Sequence, residues 1–151
     1  MPSIDQLQIV NFRNLSEISL SPNRGVNLIY GRNGSGKTSL LEALYVLSSG
    51  KSFRSALVDP LIKTGEPEAT IYVCTGDNAK FGLSKRRHNK PQLRVNGENQ
   101  KNWDQVARAL PVLVIDSGAF ELLEGGPRIR RRFLDWGVFH VEPTFLDNWR
   151  R

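Results

Sequence analysis

Residues Gly31 to Thr38 spell Gly-x-x-x-x-Gly-Lys-Thr, and nothing else in the 151 residues constrains the fold as tightly. The run Val26–Tyr30 (VNLIY) ahead of it reads as a buried strand. From Lys37 onward, Leu40, Leu41, Leu44 and Leu47 fall on one helical face, and Gly50 offers a stop near Ser48–Gly50. A strand, a glycine-rich turn and a helix in that order predict a loop that wraps phosphates. Glycine lets main-chain N–H groups turn inward without a Cβ clash, so they form an anion nest. The helix start adds the positive end of its dipole. Lys37 brings a charge for the β- and γ-phosphates, and the Thr38 hydroxyl suits Mg²⁺. The candidate contacts are Gly31, Arg32, Asn33, Gly34, Ser35, Gly36, Lys37, Thr38 and Ser39. Such a loop specifies a nucleoside triphosphate. It does not separate ATP from GTP, or kinase from hydrolase.

The flanking sequence supplies the frame. Leu7, Ile9 and, after Asn11, Phe12 predict a first strand near residues 4–11, and Ile18 with Leu20 a second. The turn chemistry of SPNRG (21–25) leads into the loop's own strand. Three short β-like runs follow, ATIYVCT (69–75), AKFGLSK (79–85) and QLRVNG (92–97), with turns between them that predict antiparallel hairpins. WDQVARAL (103–110) predicts a short helix and PVLVID (111–116) another buried strand. GPRIRRRFLDWGVFH (126–140) predicts a helix with proline at its start. Thr144 can cap a further helix carrying Phe145, Leu146 and Trp149, so the chain reads as a fragment that stops inside a helix.

Composition bounds the rest. No run approaches the roughly 20 apolar residues that span a bilayer, and MPSIDQLQ lacks the features of a signal peptide. The lone Cys74 excludes an internal disulfide framework and suits a reducing, cytoplasmic setting. A net charge of +6 is compatible with a nucleic-acid partner. KRRHNK (85–90) at a hairpin tip reads either as a phosphate contact or as a solvated turn, and Arg128, Arg130, Arg131 and Arg132 divide the same way. His88 and His140 are too few and too far apart for a metal site, and no nucleophile triad is present.

NFRNL (11–15), GRNGSGKTSLLEALYVLSSGKSFRS (31–55) and LLEGGPRIRRRFLDWGVFHVEP (122–143) together resemble the bacterial RecF family. The last block discriminates, because many ATPases share the loop alone. The resemblance implies an α/β P-loop NTPase of ABC type, like the SMC and Rad50 group. That fold has a mixed sheet with an antiparallel β subdomain, and residues 1–151 would be its amino-terminal part. It further implies ATP with Mg²⁺, and an ATP-dependent homodimer on DNA at gaps or single-strand/double-strand junctions. It implies work with RecO and RecR to load RecA, in support of repair, replication and the SOS response. By the same resemblance, Arg13 and Asn14 would reach the nucleotide, and Arg54 of Ser52-Phe53-Arg54 would lie near the phosphates or the DNA, or else be solvated beside a packed Phe53. Where the family commonly has Pro-Glu, this chain has Asp116-Ser117-Gly118, so Asp116 is the candidate metal-sensing residue, or a simple helix cap. No apolar run ending in Asp-Glu and no Ser-Gly-Gly segment occurs, so weak or no hydrolysis is expected of these residues alone. A P-loop kinase and a non-catalytic DNA-binding module with structural ATP remain as alternatives.

Overall fold

The computed structural model describes residues 3–54, 61–116, 121–142 and 144–145. The chain divides into two compact units, residues 1–112 and 113–151. The first holds a six-stranded sheet of β1 (Ile4–Phe12), β2 (Leu15–Leu20), β3 (Glu68–Thr75), β4 (Lys80–Arg86), β5 (Gln92–Val95) and β6 (Glu98–Gln100). Their order is β2-β1-β3-β4-β5-β6, and every pairing is antiparallel. It also holds helices α1 (Lys37–Ser49) and α2 (Asp104–Ala109). The second unit carries α3 (Glu121–Glu124) and α4 (Pro127–Val141). No helix among the described residues is long and apolar enough to cross a membrane.

The strands alternate as a half-covered sheet demands. Ala69, Ile71, Val73 and Thr75 of β3 point inward, as do Phe81 and Leu83 of β4 and Leu93 of β5. In β1 the alternation slips by one after Ile9. Asn11 adopts a left-handed φ of 53°, so Phe12 rather than Asn11 joins Leu7 and Ile9 in the core. Against this face α1 lays Leu40, Ala43, Val46 and Leu47, and α2 adds Val106. At about 1.5–3 kcal/mol per fully buried large side chain, this layer supplies the main driving force of the unit. Two polar contacts then fix α1 and the α2 region together. Trp103 donates its indole N–H to the Leu47 carbonyl at 3.0 Å, and Ser48 donates to the Leu110 carbonyl at 2.7 Å.

The α/β class, the hairpins, α1, α2 and α4 lie where the sequence puts them. Two expectations do not hold. Val26–Tyr30 is no part of the ladder, and Val26, Leu28 and Tyr30 are 95%, 83% and 85% exposed. PVLVID likewise forms no strand, with Ile115 78% exposed. An unbroken apolar run encodes a strand covered on both faces. Among the described residues no strand pairs with either segment, so the composition is present without its ladder. The observed sheet is therefore antiparallel throughout the described residues. Asn96-Gly97, read above as the end of a strand, is the hairpin turn between β5 and β6. Both residues have positive φ (51° and 88°), as a two-residue turn matched to strand twist requires. The short α3 and β6 carry too few residues for any period to show. The expected helix after Thr144 lies beyond Phe145 outside the described residues, as do Ser117 and Gly118.

α1 ends as expected at Gly50, in the left-handed region with φ 71° and its N–H on the Val46 carbonyl. A Cβ there would meet the Trp103 ring at 2.8 Å. Gly50→Ala is expected to lower the unfolding free energy by more than about 1 kcal/mol in a urea melt, since strain and clash act together. A variant as stable as the parent would contradict the packing of Trp103 on this turn.

Candidate nucleotide-binding site

The loop from Gly31 to Gly36 connects the exposed segment before it to the first turn of α1. Gly36 is its tightest point. It is the helix N-cap, with φ 95°, and a Cβ would lie 2.3 Å from Leu15 Cδ2. Only glycine lets the loop seat this closely on the start of β2. Gly31 and Gly34 also take positive φ, and a Cβ on Gly34 would meet nothing. The Ser35 N–H bonds back to the Arg32 carbonyl at 3.2 Å, which closes the loop on itself.

Lys37 folds over this loop. Its Nζ donates to the carbonyls of Gly31 at 2.7 Å and Arg32 at 2.8 Å. The ammonium is thus held at the loop rather than ranging through solvent. The start of α1 has no side-chain cap and no acidic residue in its first turn. Its leading N–H groups and its dipole are therefore not neutralised locally. Thr38 is exposed beside them, and Ser39 is buried. The uncapped N–H groups at the start of α1, one placed ammonium and an adjacent hydroxyl are the kind of donor set that a Mg²⁺-triphosphate takes, so these residues fit that ligand.

Arg13 and Asn14 both brace the loop and its helix. Asn14 donates its amide to the Gly34 carbonyl at 2.7 Å and accepts from Ser39 Oγ at 2.8 Å. One side chain thereby ties the crest of the loop to the first turn of α1. Arg13, at φ 55°, sends its guanidinium to Glu42: Nη2 to Oε1 at 2.6 Å and Nε to Oε2 at 3.0 Å. The bidentate ion pair fixes Arg13 to α1, and Asn14 fixes the loop to the same helix. Arg54 also leans on Glu42, at 3.5 Å, and Ser52 donates to the same carboxylate. Phe53 packs edge-on against Tyr45 with ring centroids 5.6 Å apart. Asp116 is exposed and belongs to the second unit. No group of three or more His, Cys, Asp or Glu among the described residues is placed to hold a metal.

Glu42 escapes the reading of the sequence. Its side chain is wholly buried. An acid between buried Ser39 and Val46 on an amphipathic helix is the signal that could have found it, because a buried carboxylate requires a cation. Burial pushes its pKa up. The hydrogen bonds from Arg13 and Ser52 and the charges of Arg13 and Arg54 outweigh that and hold it below the usual glutamate value.

Comparison with known proteins follows from this geometry. Residues 3–126 match the RecF/RecN/SMC N terminal domain. The DNA replication and repair protein RecF of Pseudomonas syringae pv. tomato is 42% identical over 99% of this chain, which covers 42% of that protein. RecF of Pseudomonas paraeruginosa is 43% identical over the same shares. The chain thus spans about 42% of the length of these curated relatives. A solved structure of the recombination mediator protein RecF-ATP in the RecFOR pathway superposes with a TM-score of 0.84 at 28% identity, covering 98% of this chain and 41% of that one. The Smc head domain of Pyrococcus furiosus shares the fold, with a TM-score of 0.73 at 19% identity over 89% of this chain and 41% of that one.

A carboxylate whose pKa is lowered by folding contributes stability in full above its ordinary value of 4.5 and loses it as pH falls through the lower folded value. Glu42→Gln leaves Arg13 without its counter-charge and should cost about 3–5 kcal/mol at pH 7. The gap to the parent should narrow on acidification below the ordinary glutamate value. Urea melts showing the same gap at pH 7 and pH 3 would contradict the ion pair.

Proposed function

The chain belongs to the RecF/RecN/SMC amino-terminal domain family, and from that premise we propose that it is the ATP-gripping part of a DNA replication and repair protein. The observation that carries the reading is the loop Gly31–Thr38, closed on itself, braced by Asn14 and covered by the Lys37 ammonium. Its amides and Lys37 take the triphosphate tail. Thr38 Oγ1 takes the Mg²⁺. The bound metal would offset phosphate charge and orient the γ-phosphate. The match to RecF relatives supports ATP as the nucleotide and sets the kinase alternative aside.

In this reading the whole protein closes as a homodimer on DNA when ATP is bound, and reopens on hydrolysis. It acts in the cytoplasm with RecO and RecR to place RecA on gapped DNA, in support of replication and the SOS response. The 151 residues contain no Asp-Glu-terminated apolar run and no Ser-Gly-Gly segment, so binding rather than turnover is their share. Rigid bracing suits that share. A preformed anion cradle loses little conformational entropy when phosphates arrive.

Calorimetric titration of ATP with Mg²⁺ checks the assignment. The parent chain should bind, and Lys37→Met should weaken binding at least about tenfold, the lower range for a charged hydrogen bond. Equal affinity in the two proteins would overturn it.

A further inference from the structure

The sequence holds two Asn-Gly pairs, Asn33-Gly34 and Asn96-Gly97. In such a pair the second residue has no Cβ, so its nitrogen can swing onto the carboxamide of the asparagine before it. The two pairs share this chemistry and differ in how their carboxamides are held.

Asn96 is locked. Its Oδ1 accepts the Lys80 N–H at 2.9 Å, and its own N–H donates to the Lys80 carbonyl at 2.8 Å. Asn96 and Gly97 are the central residues of the β5–β6 turn, and the Val95–Glu98 pairing fixes their torsions. Asn33 is not held. It lies with Gly34 at the crest of the phosphate loop, and both residues are exposed. Neither its carboxamide nor the Gly34 N–H has a hydrogen-bond partner among the described residues. Gly34, at φ 83°, stands in open space. Asn14 holds the Gly34 carbonyl at 2.7 Å, beyond the bond about which Asn33 must turn. The surroundings are cationic: the Lys37 ammonium sits on the carbonyls of Gly31 and Arg32, and the first turn of α1 carries no acid. Positive charge favours an ionising amide nitrogen as it favours any anion.

We propose that Asn33 is a self-modification site, where the loop converts its own crest to aspartate or isoaspartate and so withdraws from triphosphate binding. The Gly34 nitrogen bonds to Asn33 Cγ and gives up its proton. The bond from Cγ to the side-chain nitrogen breaks, and that nitrogen leaves with the proton as ammonia. The succinimide that remains takes up one water. Opening at Cγ restores the main chain as aspartate. Opening at the main-chain carbonyl leaves isoaspartate, whose chain runs through the former side chain. Nothing is oxidised or reduced. Either product sets a negative charge at the crest of the loop, against the charge of the phosphates. A bound triphosphate engages the loop amides, so occupancy protects the crest and an empty loop ages. That protection rests on the function proposed above, whereas the conversion does not.

The 151-residue chain, incubated at neutral pH, tests this by peptide mass spectrometry, which reads the mass gain of amide-to-acid exchange at each asparagine. Isoaspartyl methyltransferase labels the isoaspartate. Without nucleotide, Asn33 should convert roughly 2- to 12-fold faster than Asn96, whose carboxamide must first break its bond to Lys80. Asn14→Ala frees the crest and should quicken Asn33 further, with Asn96 unchanged. Saturating ATP with Mg²⁺ should slow Asn33 alone. Asn33→Asp, the aspartyl product made directly, should bind ATP roughly tenfold or more weakly than the parent. Asn33 left intact, or converted no faster than Asn96, would overturn the proposal. So would parental ATP affinity in Asn33→Asp, or an Asn33 rate unmoved by ATP that calorimetry shows to be bound. A parent chain that binds no ATP would count against the nucleotide reading alone, and the order of Asn33 and Asn96 would still decide the modification site.

Discussion

A carboxylate buried in a sheet–helix interface cannot stand alone, and that requirement organises the nucleotide end of this protein. Glu42 sits one turn into α1, against the core. Its charge is met by Arg13 from the β1–β2 turn and by Ser52 and Arg54 from the segment after the helix. Replacement of such a pair by apolar groups is often neutral in stability, so its value here lies in register. Apolar packing alone would let α1 slide or roll by a fraction of a turn. The bidentate Arg13–Glu42 pair allows one placement. Asn14, the next residue in the chain, then carries that placement to the loop through Gly34 and Ser39.

This explains how a mobile type of segment becomes a site. A loop rich in glycine has little reason of its own to hold one shape. Here its crest is tied by an amide, its C-terminal glycine is pressed onto Leu15, and its lysine is tethered to its own carbonyls. Each contact is worth about 0.5–3 kcal/mol in net terms, the charged ones most, and together they select one conformer from many. The antiparallel sheet behind α1 is the rigid base, with one covered face and one open face. The covered face carries α1 and, through it, the loop.

Much of this was legible before any coordinates. The spacing Gly31, Gly36, Lys37, Thr38 located the loop ahead of α1, and period-two patterns located β1, β3 and β4 because one face of each is solvated. Leu40 and Leu47 of α1 and the stop at Gly50 fell where expected, whereas Leu41, expected on the same apolar face, is exposed because it lies one residue round the helix from Leu40. What the sequence concealed has two physical sources. Val26–Tyr30 and PVLVID read as buried strands because local composition reports the environment a segment is suited to, not whether pairing partners surround it. The sequence does not show which groups Arg13 and Asn14 engage within the protein itself. Their partners there, Glu42 and Gly34, lie 29 and 20 residues away. The acid on the inner arc of α1 was the available clue.

The most direct test is a residue-resolved amide spectrum of the ¹⁵N-labelled chain, titrated with Mg²⁺ and inorganic tripolyphosphate, which carries the charge without a base. A preformed cradle predicts that the amides of Gly34, Ser35, Gly36, Lys37 and Thr38 shift first and together, while the strand amides of β3 and β4 hold still. Shifts spread across the sheet with that loop unmoved would contradict the account.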